Sequence, residues 1–172
     1  MEDGREAVAF ERARDIPYHL ALFEDEPNHS CVGKHQQLKD ELEKMGYGVR
    51  WVEAAFRWSE LPLPQVILAL PHDDDTTHAY LEVQVNDEWL TIDCTWDKGL
   101  AAVLPVNEWG NLGNMKIAVP VLRRIPEAEM WINRETSDQD TADELHRNRE
   151  FFSAINEWLD QNRKENPNYA NA

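Results

Sequence analysis

Hydrophobic positions change their spacing along this chain, and each change marks an element. Between Asn28 and Gly46 a set of apolar or semi-apolar positions, Cys31, His35, Leu38, Leu42 and Met45, is separated alternately by four and three. That spacing keeps all five on one stripe of a helix. The helix starts at Asn28-His29-Ser30 and stops at Gly46, a residue suited to a helix C-terminus. Cys31 falls in its first turn, on the face that must pack against the rest of the protein. From His78 the spacing drops to two: Ala79, Leu81, Val83 and Val85 share one face of a strand, Asn86-Asp87 makes a two-residue turn, and Trp89 to Trp96 returns. With Val85 opposite Glu88, Tyr80 lies opposite Asp93 and His78 opposite Thr95. His78 and Asp93 are then diagonal neighbours on one face, about 7–8 Å apart at the backbone, and their side chains can meet.

The other segments read in the same way. Glu2 to Arg14 predicts a short charged helix, broken by Asp15-Ile16-Pro17-Tyr18 because proline disfavours helix at the residue before it. Val49 to Phe56 predicts a strand, Ser59 to Pro64 a proline-broken connection, Val66 to Leu70 an apolar strand, and His72-Asp73-Asp74-Asp75 an acidic turn. Gly99 to Asn114 reads as a long irregular loop. Lys116 to Leu122 predicts a last strand, placed at a sheet edge by Pro120, which has no N–H for a ladder. Thr141-Ala142-Asp143-Glu144 fits a capping box opening a C-terminal helix from about 141 to 164, with Leu145, Phe152, Ile155 and Leu159 as its packing stripe. The stretch from Ser137 to Asp143 reads as an exposed loop, and the residues from Pro167 as a frayed end. The sum is an α+β domain in which an antiparallel sheet packs against the helix that bears Cys31. One tension stands in this picture. His78, Tyr80, Glu82 and Gln84 form the more polar face of their strand, yet the Cys31 helix has to approach that face, with Tyr80 and Trp89 supplying the packing surface.

Composition narrows the classes. At 172 residues the chain fits a single domain, 1–172, of a size that buries roughly two thirds of its unfolded surface. Seven Trp and 42% hydrophobic residues indicate a folded globule. No apolar run approaches the roughly 20 residues of a membrane helix, and the N-terminus lacks the basic start and apolar stretch of a secretory signal, so a cytoplasmic protein with no membrane partner is expected. The two cysteines, Cys31 and Cys94, are then expected to be reduced thiols. A formal charge of −16 would repel a phosphate backbone, which excludes nucleic acid as an expected partner.

The candidate chemistry lies in three residues. A thiol attacks a carbonyl as thiolate, which a helix N-terminus and a nearby imidazole both favour. Cys31 is placed for the first effect and His78 for the second, as ion-pair partner and then as the acid that protonates a leaving amine. Asp93, brought alongside by the hairpin, can accept the other imidazole N–H and orient the ring. The backbone N–H of Cys31 is a first donor to an oxyanion, and the sequence assigns no second. Cys94 points to the opposite face of its strand and reads as core. His29, Cys31 and His35, and likewise His72, Asp73, Asp74, Asp75 and His78, are rich in metal-ligand types, but neither spacing matches a structural zinc pattern. No metal, calcium or organic cofactor is expected.

These residues also carry a resemblance. The block CVGKHQQLKDELEKMGYGVRWV resembles the nucleophile helix of the transglutaminase-like superfamily, with Cys31, Gly33, Leu38, Leu42, Gly46, Tyr47 and Arg50 at the matching positions. HAYLEVQVNDEWLTIDCTWD is similar to that family's histidine and aspartate strands, through His78, Tyr80, Glu82, Trp89, Asp93 and Thr95. The core motif region runs from about 28 to 97. The family's upstream oxyanion side chain, often Gln or Trp, has no direct counterpart, since neither residue precedes Cys31; His19, Asn28 and His29 are the upstream candidates for its place. The resemblance implies a papain-like core and acyl transfer from an amide, peptide or protein substrate to an amine or water through an acyl-cysteine. Two alternatives stay open: a cysteine peptidase or amidase of the same fold, and a non-catalytic binding or scaffold domain that retains the triad.

Overall fold

The computed structural model describes residues 4–133 and 138–166. In chain order they form α1 (Arg5–Arg14), α2 (Cys31–Lys44), β1 (Val49–Arg57), α3 (Gln65–Leu68), β2 (Asp75–Val85), β3 (Glu88–Ile92), β4 (Arg123–Arg124) and α4 (Asp138–Glu165), joined by loops and short 3-10 turns. The four strands make one antiparallel sheet in the order β3-β2-β1-β4. This is a mixed helix-and-strand α+β architecture. Among the described residues no helix is long and apolar enough to cross a membrane.

The helix bearing Cys31 forms where the apolar stripe placed it. Gly46, at φ 92°, ends it: its N–H donates to Glu43 O at 2.9 Å and the Tyr47 N–H to Leu42 O at 3.1 Å, the paired bonds of a Schellman stop. Leu38 and Leu42 are fully buried in a cluster with Leu81, Val83 and Ile92 of the sheet and Phe10 of α1. The helix therefore lies on the Leu81/Val83 face. The polar face is covered otherwise: Tyr80 packs with Val52, Ala54 and Ile117, and Glu82 accepts from Arg50 and Arg124 at 2.8 Å each. Trp89 does not pack against the helix; it is exposed, with the Arg50 guanidinium 4.2 Å above its ring.

The β2–β3 hairpin turns at Asn86 (φ 49°) and Asp87 (φ 66°), both left-handed as a type I′ turn requires, and Val85 pairs with Glu88. The ladder runs only to Leu81 opposite Ile92, so the expected strand to Trp96 is too long and the Tyr80–Asp93 and His78–Thr95 pairs do not form. The reason is local. Asp93 Oδ1 accepts the Thr95 N–H at 3.0 Å, a side-chain turn that competes with continued pairing. Asp93 still meets His78, beside the stretch of β2 that β3 leaves unpaired.

Three other expectations are corrected. Val66 to Leu70 is not a strand: residues 65–68 are the short helix α3, with Ile67 buried and Val66 exposed, a case where so short an apolar run carries no decisive period. Lys116 to Leu122 is irregular, because its ladder groups are spent on side chains: the Lys116 N–H donates to Asn107 Oδ1 and the Ala118 N–H to Asp93 Oδ2. Pairing at that edge of the sheet falls instead to Arg123 and Arg124, opposite Ala55 and Ala54. The last helix begins at Asp138, so Thr141 is inside it and not its cap, and residues 138–143 are helical where a loop was expected. Ser137, Glu2 and the segment from Pro167 lie outside the described residues. The α4 stripe behaves as expected: Phe152, Ile155 and Leu159 are buried and Leu145 partly so, in a second core with Phe56, Trp58 and Trp96.

Candidate active site

Cys31 is the first residue of α2, partly buried, at the wall of a cavity of about 610 Å³. Ser30 is the N-cap but gives α2 no side-chain cap; its hydroxyl donates to Asn28 Oδ1 at 2.6 Å. The first N–H groups of the helix are thus left without a capping side chain, at the positive end of its dipole. Gly33 makes this turn possible: a Cβ there would stand 1.7 Å from the Asn28 carbonyl oxygen, so only glycine lets the 28–30 segment fold against the helix start.

His78 and Asp93 are both buried and directly bonded, the His78 Nε2–H donating to Asp93 Oδ2 at 2.8 Å. Burial alone would push the His78 imidazolium down. The charge and hydrogen bond of Asp93, together with the hydrogen-bonding side chain of Cys31, outweigh it and raise His78 to about 10. With Nε2 committed to Asp93, Nδ1 is the nitrogen left for the thiol. Burial likewise opposes ionisation of Asp93, but the charge and hydrogen bond of His78, with the side chain of Thr95, hold its carboxyl well below the usual range. All three residues expected from the sequence are therefore gathered at one place, in the order thiol, imidazole, carboxylate.

A second histidine holds the arrangement. His35, fully buried one turn after Cys31, has both nitrogens assigned by their partners: Nδ1–H donates to Cys31 O at 2.7 Å, and Nε2 accepts the Cys94 N–H at 3.0 Å. That pattern requires the neutral ring, and burial lowers its pKa to about 4. His35 thereby ties the backbone of Cys31 to the residue following Asp93. Lys34, also fully buried, adds two clasps, its ammonium donating to Arg14 O at 2.8 Å and Thr95 O at 2.6 Å; burial lowers it to about 8. The sequence showed His35 as a member of the apolar stripe and of a metal-ligand-type group, and Lys34 not at all.

The upstream candidates fare unequally. Asn28 lines the cavity, with Oδ1 taken by Ser30; His19 turns to Glu26 and Asn156, and His29 bridges to His19 through the backbone. Tyr18, which the sequence marked only as part of a helix break, lines the cavity with Cys31. Its ring packs on Trp96 at 4.7 Å, its N–H donates to Asp97 Oδ2 at 3.1 Å, and its carbonyl accepts from Arg163 at 2.8 Å. Burial, with the charge of Asp93 adding to it, holds the Tyr18 hydroxyl protonated, well above its usual range. Cys94 is buried, and burial pushes its thiol up, as suits a core residue. Among the described residues no group of three or more His, Cys, Asp or Glu is arranged to hold a metal ion. Comparison with protein-family models, with curated proteins and with solved structures finds no match to this chain.

Proposed function

We propose that this chain is a transglutaminase-like thiol enzyme with a papain-like core, acting on an amide through an acyl-cysteine. The observation that carries the reading is the relay itself: a thiol at a helix start, beside an imidazole whose far nitrogen is bonded at 2.8 Å to a buried carboxylate, at the wall of a cavity. In the first step the Cys31 thiolate attacks the amide carbon, and the charge developing on oxygen is met by first-turn N–H groups of α2. The C–N bond breaks as the His78 imidazolium passes its proton to the departing amine, leaving a thioester and neutral His78. Water or a second amine then loses a proton to His78 and displaces the thiolate, which restores the ion pair. Asp93 keeps the ring oriented and favours its charged form throughout. The acidic chain is assigned to a cytoplasmic setting with peptide, protein or small amide substrates.

The test is acyl trapping. The protein is incubated with a panel of fluorogenic peptide amides, with and without hydroxylamine, and the products are analysed by mass spectrometry. Amine release that needs Cys31 and His78, with acyl-hydroxamate formed at the expense of free acid, is the expected outcome. A predominance of acid even with excess amine assigns a peptidase or amidase. A wild-type protein that neither forms a thioester nor differs from Cys31→Ser leaves a binding domain and refutes the proposal.

A further inference from the structure

The cavity beside Cys31 has two chemically distinct parts, and together they specify an occupant. Its volume, about 610 Å³, is in the range of small-ligand sites, roughly 300–1,000 Å³. One part is aromatic, formed by Tyr18, Phe56, Trp58, Trp96 and Phe152, with the Phe56 ring edge-on to His78 at 6.5 Å between centroids. The other carries carboxylates at Glu24, Glu26 and Glu144. Among the described residues lining the cavity none is Lys or Arg; Arg149 lies nearby on the Phe23 ring, at 4.6 Å, with its Nε donating to Leu22 O. Glu26 is partly committed, accepting the Leu22 N–H at 3.0 Å, whereas Glu24 and Glu144 are exposed.

Resting on the reading of Cys31 as nucleophile, we propose that the substrate is an amide whose acyl part carries an aromatic or bulky aliphatic group and a positive charge. The apolar group occupies the aromatic part, and the cation faces Glu24 and Glu144. A net charge of −16 adds a long-range field of the same sign, drawing cations to the cleft and turning anions away.

The experiment measures protection of Cys31 from iodoacetamide, followed by mass spectrometry on the full chain, by four unreactive amides: propionamide, 3-phenylpropionamide, and the latter with a para-aminomethyl or a para-carboxyl group. The ring should lower the protecting concentration at least about 10-fold relative to propionamide. The aminomethyl compound should protect at a concentration at least about 10-fold below the carboxyl compound in ~0.02 M salt, narrowing to about 2-fold in ~0.5 M salt. In the double variant Glu24→Gln, Glu144→Gln the preference for cation over anion should shrink similarly, while neutral 3-phenylpropionamide protects as before. Equal protection by the cationic and anionic compounds, or by the ringless and ring-bearing ones, overturns the proposal. The two readings fail separately. Ordered protection with a Cys31 reactivity indifferent to His78→Ala upholds the cavity and removes the enzyme, and His78-dependent reactivity with no order of protection removes the substrate class alone.

Discussion

Replacing Asp93 by Asn keeps the shape of the side chain and removes its charge, and the structure specifies what each atom loses. Asp93 Oδ2 accepts from His78 Nε2 and from the Ala118 N–H, both at 2.8 Å, while Oδ1 accepts from the Thr95 N–H at 3.0 Å. An amide has one oxygen, so whichever way the new side chain turns, its NH2 confronts a donor. The resulting unsatisfied buried group costs roughly 1–3 kcal/mol. The electrostatic loss is larger. The rise of His78 from 6.5 to about 10 corresponds to on the order of 5 kcal/mol favouring its protonated form. Without the carboxylate charge, burial dominates and drives His78 below its ordinary value, so that near pH ~7.5 the ring passes from imidazolium to imidazole. The thiol then has no cation beside it. The assay is the rate of Cys31 alkylation by iodoacetamide across pH, with the His78 Cε1–H signal followed by NMR. In Asp93→Asn the alkylation rate at pH ~7 should fall about 10- to 100-fold and the His78 midpoint should drop below ~7. The sign of the stability effect is also fixed. A raised imidazolium stabilises the fold fully below 6.5, and that contribution disappears as pH climbs through about 10, so the electrostatic part of the penalty in the variant should fade over this interval. A His78 midpoint that stays near 10 in the variant, or a Cys31 rate unchanged within about 2-fold, would refute the reasoning.

Three further outcomes are expected. Because buried His35 refuses a proton down to about pH 4 while the unfolded chain accepts one near 6.5, stability should fall by up to ~3 kcal/mol as pH drops across that window. His35→Leu should be less stable at neutral pH and show a flatter acid limb in chemical denaturation. Gly33→Ala should force the Asn28 carbonyl away from the helix start, costing roughly 1–3 kcal/mol and slowing Cys31 alkylation; a thermal melt and the alkylation rate read the two effects, and an unchanged variant would disprove the close approach. Under native conditions at neutral pH one thiol should react with the aromatic disulfide reagent DTNB and two after denaturation, since Cys94 is buried with its thiol pushed up.

The site was legible in the sequence where it depended on local period. A 3.6-residue stripe placed Cys31 at a helix start, and a period of two with an Asn-Asp turn brought His78 near Asp93; both readings need only neighbours within a few positions. What failed depended on groups far apart in the chain. Whether Lys116 and Ala118 join a ladder is decided by Asn107 and Asp93, which take their N–H groups first. Where the polar face of β2 goes is decided by Arg50 and Arg124 closing on Glu82, which frees α2 to use the opposite face. Buried charged residues were the least visible: Lys34 and the Asp97–Arg163 pair at 2.8 Å look like ordinary surface residues until their partners are seen. Composition treats such residues as solvated, and only the fold reveals that their hydrogen bonds are internal.

The hairpin between β2 and β3 has a consequence for inheritance. Its tip is exposed, the kind of place where lineages ordinarily gain and lose residues. Here the tip works as a ruler. His78 is fixed by β1 through its pairing with Ala54, whereas Asp93 follows directly on the end of β3, and the two strands are indexed to each other through Asn86 and Asp87. One inserted or deleted residue would slide β3 by one position and turn Asp93 to the wrong face of the sheet. Descendants of this chain can therefore exchange the identities of those two residues among types that tolerate positive φ, but their number is inherited with the relay.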